Sequence, residues 1–269
     1  MRKLVKRTIS FAGKYIYALL SCVYLFAIGS ISARNRRLIS IICSHFLPPP
    51  KQARAPVRLN ILPKIEPSSL ILKDISIKIP EPDFINGNIC LNETAIIAAL
   101  VKRYDPATVF EIGTFDGKTT VNIIANCNRG AKIYTLDLVR KQMNSTKLPL
   151  HKFDKAYINK PVIGEAFLGT DHEKSIVQLT GDSATFDFAP YYGKMDFVFV
   201  DGSHSYEYVL NDSRKAIKLL SGKGIILWHD YSKSWEGVPR ALHELYRTDT
   251  RFAGLKHIKT TDLALLARE

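Results

Sequence analysis

The sequence predicts an α/β fold: a mostly parallel sheet with helices on both faces, preceded by an amino-terminal hydrophobic helix. Three observations carry this. Strand-like and helix-like segments alternate from residue 92 onward, the pattern of a parallel sheet covered by helices. The short apolar runs FVFV and IILW read as strands buried on both faces. Near the start, Tyr15 to Ile31 is an uncharged apolar run of 17 residues, at the lower limit for spanning a bilayer.

Taken in order, Asn92-Glu93-Thr94 starts a helix that Ile96, Ile97, Leu100 and Val101 continue and Asp105-Pro106 ends. A strand at Thr108 to Ile112, a turn at Gly113 to Gly117 and a helix at Lys118 to Cys127 make a β-loop-α unit. Further strands are expected at Lys132 to Leu136, Ile176 to Thr180, Asp196 to Val200 and Gly224 to Trp228, with helices at Tyr206 to Leu220 and Val238 to Tyr246. Arg251 to Ala267 supplies an antiparallel hairpin at the sheet edge. ILKDISIKI alternates as a short strand would, between Leu70 and Ile79, with no partner visible.

A chain of 269 residues with 46% hydrophobic content can bury a real core. Lysines and arginines exceed acids by 13, which suits an anionic partner: a membrane surface, nucleic acid or a phosphorylated substrate. Much of the excess lies in the first sixty residues, which hold eleven lysines and arginines and no acid. That places it beside the apolar run, so residues 1–47 read as a basic, hydrophobic, membrane-associating segment, either spanning or lying in the interface. A cleaved signal peptide, or a helix buried against the domain or in an oligomer contact, are the other readings of the same residues. Prolines from Pro48 onward mark 48–88 as a linker, leaving 89–269 as the α/β domain. Four cysteines without a CxxC indicate neither a zinc site nor a disulfide framework, and a cytoplasmic setting fits.

In open parallel sheets, ligands bind beyond the carboxyl ends of the strands. Those positions read Glu111-Ile-Gly113-Thr-Phe-Asp-Gly117, Asp137, Gly181-Asp182-Ser183, Asp201-Gly-Ser-His204 and His229-Asp230-Tyr231. Gly113 and Gly117 allow positive φ and close backbone approach. Asp137, about twenty residues beyond the loop, is placed to accept ribose hydroxyls as the equivalent acid does in dinucleotide folds. The loop is G-x-x-x-G, so the NAD fingerprint is absent, and no P-loop is present.

VFEIGTFDGKTT resembles the first motif of class I methyltransferases, and the ordered set of motifs over residues 92–267 resembles their Rossmann-like domain. The resemblance implies S-adenosylmethionine as cofactor, with Glu111 near its ammonium, Gly113 and Gly117 against its amino-acid end, Asp137 on its ribose, and Asp182 and Ser183 facing its adenine. DFVFVDGSHSYEYVLNDSRKAIKLLSGKGIILWHDY resembles metal-assisted sugar O-methyltransferases of the macrocin and mycinose type. Carried over, Asp201 and Asp230 become metal ligands and His204 the base that removes a hydroxyl proton. His229 stands where that family has a carboxylate. It is either a ligand favouring manganese over magnesium or a substrate contact.

The expected function is O-methylation of a hydroxyl on a small molecule or lipid-linked glycan. The cofactor would be S-adenosylmethionine, with a divalent cation, magnesium or manganese, as an open expectation, and the domain would sit in the cytoplasm at a membrane. Two other readings stay open: a non-catalytic membrane-tethered binding module on the same fold, and a hydroxylase with His204, Asp201 and His229 on iron. Nucleic acid is not an expected partner, because the charge lies beside the apolar run and no D/N-P-P-Y/F motif follows the fourth strand. Trp228 and Trp235 read as core or lid, Tyr206 and Tyr231 as pocket lining or packing, and the basic stretch 139–160 as a substrate lid.

Overall fold

The computed structural model describes residues 57–84 and 87–268, with isolated positions 16, 20, 23, 24 and 32 before them. The apolar run and the basic clusters of residues 1–47 therefore lie outside the described residues, apart from those positions. Among the described residues no helix is long and apolar enough to cross a membrane. Residues from Val57 onward form one compact unit.

That unit is an eight-stranded sheet: β1 (Lys64–Ile65), β2 (Thr108–Ile112), β3 (Lys132–Asp137), β4 (Ile176–Thr180), β5 (Met195–Val200), β6 (Leu220–Trp228), β7 (Lys256–Ile258) and β8 (Ala264–Arg268). Their spatial order is β1-β7-β8-β6-β5-β2-β3-β4. Strands β4, β3, β2, β5 and β6 are mutually parallel, and β8 alone runs antiparallel to its neighbours β6 and β7. The chain thus moves outward from β2 in opposite directions, through β3 on one side and β5 on the other. This leaves a crevice at the carboxyl ends of the central strands.

Five helices accompany the sheet: α1 (Leu91–Tyr104), α2 (Lys118–Ile124), α4 (Tyr206–Leu219) and α5 (Gly237–Thr248) pack on its faces, and α3 (Asp154–Ile158) lies in the connection between β3 and β4. Alternation within each strand assigns the faces. Phe110, Ile112, Val198 and Val200 meet Val209 and Ile217 of α4 and Leu242 and Leu245 of α5. Val109, Phe197 and Phe199 meet Ile97 and Leu100 of α1 and Ile123 of α2. Strand β5 is buried on both sides along Phe197 to Val200, each such side chain contributing roughly 1.5–3 kcal/mol of burial. Helix α1 ends at Asp105, whose left-handed conformation (φ 46°) turns the chain into Pro106.

The alternating stretch between Leu70 and Ile79 is not a strand: Pro67–Leu70 is a helical turn, Lys73–Asp74 form a second turn with Asp74 at φ 59°, and the residues up to Ile79 join no ladder. Side chains of α2 and of the turn after it satisfy its backbone instead. Asn126 accepts from the Lys78 N–H at 2.8 Å and donates to the Lys78 carbonyl at 2.7 Å. Asn122 does the same at Glu81, at 3.1 and 2.9 Å. Two amides one helical turn apart thus replace a neighbouring strand, and hold the segment leading to Asn88 against the carboxyl end of α2. The edge strands are β4 and β1, the latter pairing with β7. The predicted hairpin is present as β7 and β8, with β1 beyond it.

Candidate active site

Hydrogen bonds carry the sheet pattern beyond the strand ends: Gly113 N–H to the Leu136 carbonyl, Asp201 N–H to that of Ile112, and His229 N–H to that of Val200. The residues after β2, β3, β5 and β6 are therefore brought together, and they line one cavity of about 280 Å³. Gly113, Asp137, Asp182, Ser183, Asp201, His204, His229 and Asp230 all face it.

The glycine loop is tight. Gly113 has φ +101°, and a Cβ there would stand 2.0 Å from the Asp201 carbonyl oxygen. Gly117 has φ +87° and is closed over by Phe167 and Gly164 rather than opening into the cavity. Asp137 accepts from the Phe115 N–H at 2.8 Å and from the Leu138 N–H at 2.7 Å, and pairs with Lys160 Nζ at 2.8 Å. Asp182 is engaged by the Lys147 and Ala184 N–H groups and the Tyr208 hydroxyl.

Glu111 stands outside the cavity. It points to the opposite face of β2, where its Oε2 accepts from Thr120 of α2 and Thr135 of β3, both at 2.5 Å. Thr135 also pairs with Thr114 of the glycine loop at 2.7 Å, so Glu111 ties that loop to two elements. Complete burial pushes its carboxyl up to about 8, against the two hydroxyl bonds. Between the ordinary carboxylate range and pH 8 the folded state holds a proton the unfolded chain lacks, so stability falls as pH rises, by about 1.4 kcal/mol per unit. Glu111→Gln keeps the shape and removes this slope. Urea midpoints measured from pH 5.5 to 7.5 are expected to fall with pH more steeply in the unsubstituted protein, and parallel lines would refute the assignment.

The chemical end of the cavity is an alternating set of acids and histidines. His204 precedes α4, whose N-cap Ser205 accepts the Tyr208 N–H. Its Nδ1 lies 2.6 Å from Asp154 Oδ1 and its Nε2 2.6 Å from Asp230 Oδ2. The ring stacks on Trp235 at 3.9 Å. Burial opposes its charge, but the bonds to Asp154 and Asp230 outweigh that and raise it to about 10. His229 Nδ1 is 3.2 Å from both Asp201 Oδ1 and Asp230 Oδ2, and its Nε2 is 3.3 Å from Glu93 Oε2. Burial opposes its protonation too, and the charges of Asp201 and Asp230 raise it well above the ordinary histidine value. Asp230 is held well below the usual carboxylate range against burial, by His229 and His204, and adopts a left-handed backbone (φ 59°).

Asp201, His229 and Asp230 each offer a ligand atom within 4.8 Å of the others. His204 is not in that group, so the predicted iron set of His204, Asp201 and His229 is not gathered among the described residues. Sequence reasoning missed Asp154, Glu93, Lys160 and Tyr208. Trp235 lines the cavity, whereas Trp228 is buried and donates to Ser213. Tyr206 bonds Glu244 and Tyr231 bonds His243, so both pack rather than line the cavity.

Residues 110–231 match a family described as a methyltransferase domain. Among solved structures, an O-methyltransferase of Streptomyces achromogenes involved in tomaymycin synthesis, in complex with SAM, is 17% identical over 71% of this chain and 83% of its own, with a TM-score of 0.46. A SAH-bound methyltransferase of Podospora anserina is 15% identical over 68% and 81%, with a TM-score of 0.47. An O-methyltransferase of Bacillus cereus in complex with SAH is 16% identical over 70% and 84%, with a TM-score of 0.43. A comparison with curated proteins returned no match.

Proposed function

We propose that the chain is an S-adenosylmethionine-dependent methyltransferase, a reading supported by the match of residues 110–231 to a methyltransferase domain, and that it methylates a hydroxyl of a small molecule or lipid-linked sugar with the help of a divalent cation. The observation that carries this is the single cavity joining Asp137 at one strand end to Asp201, His204, His229 and Asp230 at two others. The ribose hydroxyls bond Asp137, displacing or sharing Lys160. The amino-acid end lies along the loop at Gly113, and the adenine extends toward Asp182 and Ser183. The methyl group then faces the acid and histidine cluster. Alignment of acceptor oxygen, methyl carbon and sulfur is the main task left to the protein.

The cluster fits a cation. Separations of 3.2 Å from His229 Nδ1 to Asp201 and Asp230 oxygens suit adjacent ligands at about 2.0–2.3 Å from one ion. Without an ion, the proton held on His229 supplies the positive charge that these acids require. Two carboxylates and an imidazole suit manganese, iron or zinc better than magnesium. When bound, the cation would lower the pKa of the acceptor hydroxyl. In its neutral form His204 would take the acceptor proton on Nε2, the nitrogen that faces Asp230, and Asp154 fixes the ring through Nδ1. We place the domain at the cytoplasmic side of a membrane, on the basic and apolar composition of residues 1–47.

The test is calorimetry on chelator-treated full-length protein, titrated with S-adenosylmethionine and separately with Mn²⁺. Both are expected to bind saturably. Asp137→Ala should weaken S-adenosylmethionine about 10- to 100-fold, the loss of one to two hydrogen bonds to a charged acceptor. Asp230→Asn should abolish Mn²⁺ binding while sparing the cofactor. Unchanged cofactor binding in Asp137→Ala would sink the cofactor placement, and absence of Mn²⁺ binding would sink the cation.

A further inference from the structure

The stretch 139–160 between β3 and β4 has two sides. Facing inward, Asp154 holds His204 and Lys160 holds Asp137. Its five other cations, Arg140, Lys141, Lys147, Lys152 and Lys155, are all exposed. None of them forms an ion pair with a described residue.

Three of these cations converge. Arg140 and Lys141, on the 3₁₀ turn Arg140–Gln142, and Lys155, on α3, line one concavity together with Asn144 and Asn159. No acid lines it; its remaining lining is Met143 and Ala156. Lys155 and Asn159 lie one turn apart on the outer side, whereas Asp154 and Ile158 are buried. A solvated charged face would scatter its cations along the surface. Here two separate backbone turns bring three to one hollow, where mutual repulsion is unrelieved by any acid lining it among the described residues. The donor set of a guanidinium, two ammonium groups and two amides matches the several oxygens of a phosphoryl group better than a neutral sugar.

We propose that this hollow binds a phosphoryl group carried by the acceptor, so that the methylated hydroxyl belongs to a phosphorylated or diphosphate-linked molecule. The assignment to the acceptor rests on the methyl-transfer reading above. Helix α3 separates the hollow from the reaction cavity, and a helix is about 10 Å across, a span that a diphosphate-linked sugar can bridge. Phosphoryl binding on the outer side of α3 also braces the helix that presents Asp154 to His204.

The probe is inorganic pyrophosphate, titrated calorimetrically into full-length protein. Three proteins are compared: the unsubstituted chain, Arg140→Glu/Lys141→Glu/Lys155→Glu, and a control of equal net charge, Lys73→Glu/Lys223→Glu/Lys256→Glu. Saturable binding is expected in the first and the control, about tenfold or more weaker in the lid variant. S-adenosylmethionine affinity, measured on the same samples, should stay within about twofold, as only outward-facing charges change. Equal binding in all three, or equal loss in both variants, overturns the proposal. Retained cofactor binding then shows that the methyl-transfer reading survives it. Vesicles containing phosphatidic acid, added as competitor, separate the sources. Displacement of pyrophosphate assigns a lipid headgroup, and no displacement assigns a soluble phosphorylated acceptor.

Discussion

Gly113→Ala is expected to destabilise the domain by about 4 kcal/mol or more and to remove measurable S-adenosylmethionine binding, whereas Gly130→Ala costs only about 1–2 kcal/mol and leaves the cofactor bound. The two glycines have nearly the same φ, +101° and +92°, so the strain that a positive φ imposes on an L side chain is common to both. They differ in surroundings. A methyl group on Gly130 meets nothing within 4 Å, but one on Gly113 falls 2.0 Å from the Asp201 carbonyl oxygen. That oxygen belongs to backbone and cannot rotate aside. Relief requires the loops after β2 and β5 to separate, which breaks the Asp201 N–H bond to Ile112 and displaces a carboxylate of the candidate metal set. Chemical denaturation of both variants, with calorimetry of cofactor binding, gives the comparison. Equal losses would mean that backbone conformation alone, and not the close approach of β2 and β5, demands glycine at position 113.

Part of this structure was legible in the sequence for a definite reason. Thr108–Ile112 and Ile176–Thr180 were read residue for residue because breakers close to them, such as Pro106, Gly113 and Gly181, leave no other place for the strand to begin or end. The five acids and histidines that meet at one end, Asp137, Asp201, His204, His229 and Asp230, were legible because a parallel sheet gathers its strand ends whatever the loops do. Glu111 was read as a cofactor carboxylate because it adjoins the glycine loop, but the two-residue period of the strand aims it at α2 instead. With Ile112 packed on the α4 face, that period was available in the sequence.

Other features had no local signal. The run ending at Ile79 alternates like a strand, and only the fold reveals that Asn122 and Asn126, more than forty residues away, stand in for its partner. Strand β1 has two residues, too few for any periodicity. Glu93 reaches His229 from the first turn of α1, an element whose sequence signals only a helix start. Asp154 did leave a trace, as the sole acid in a basic lid. Its meaning depends on the lid folding back over β5, which periodicity cannot show.

His204→Gln is expected to lower the rate of methyl transfer about 10²- to 10⁴-fold, the usual contribution of a positioned base, with little change in cofactor affinity. Asp154→Asn is expected to lower it less and to change its pH dependence. His204 is held cationic, near 10, by the carboxylates of Asp154 and Asp230 acting against burial. Only the neutral ring can accept the acceptor proton, so the rate should rise with pH through a limb governed by this group. Replacing Asp154 with a neutral amide withdraws one of the two charges that favour the protonated ring, so the limb must move to lower pH. The fall in rate at high pH then reports lost orientation, since the Ser203 hydroxyl and the His204 N–H also bond Asp154. Radiolabelled methyl transfer measured from pH 6 to 10, at saturating cofactor, separates the two effects. A limb that stays fixed in Asp154→Asn would make Asp154 a brace for the lid alone. A limb unchanged in His204→Gln would remove His204 from proton transfer and leave cation-assisted ionisation of the hydroxyl, with solvent taking the proton.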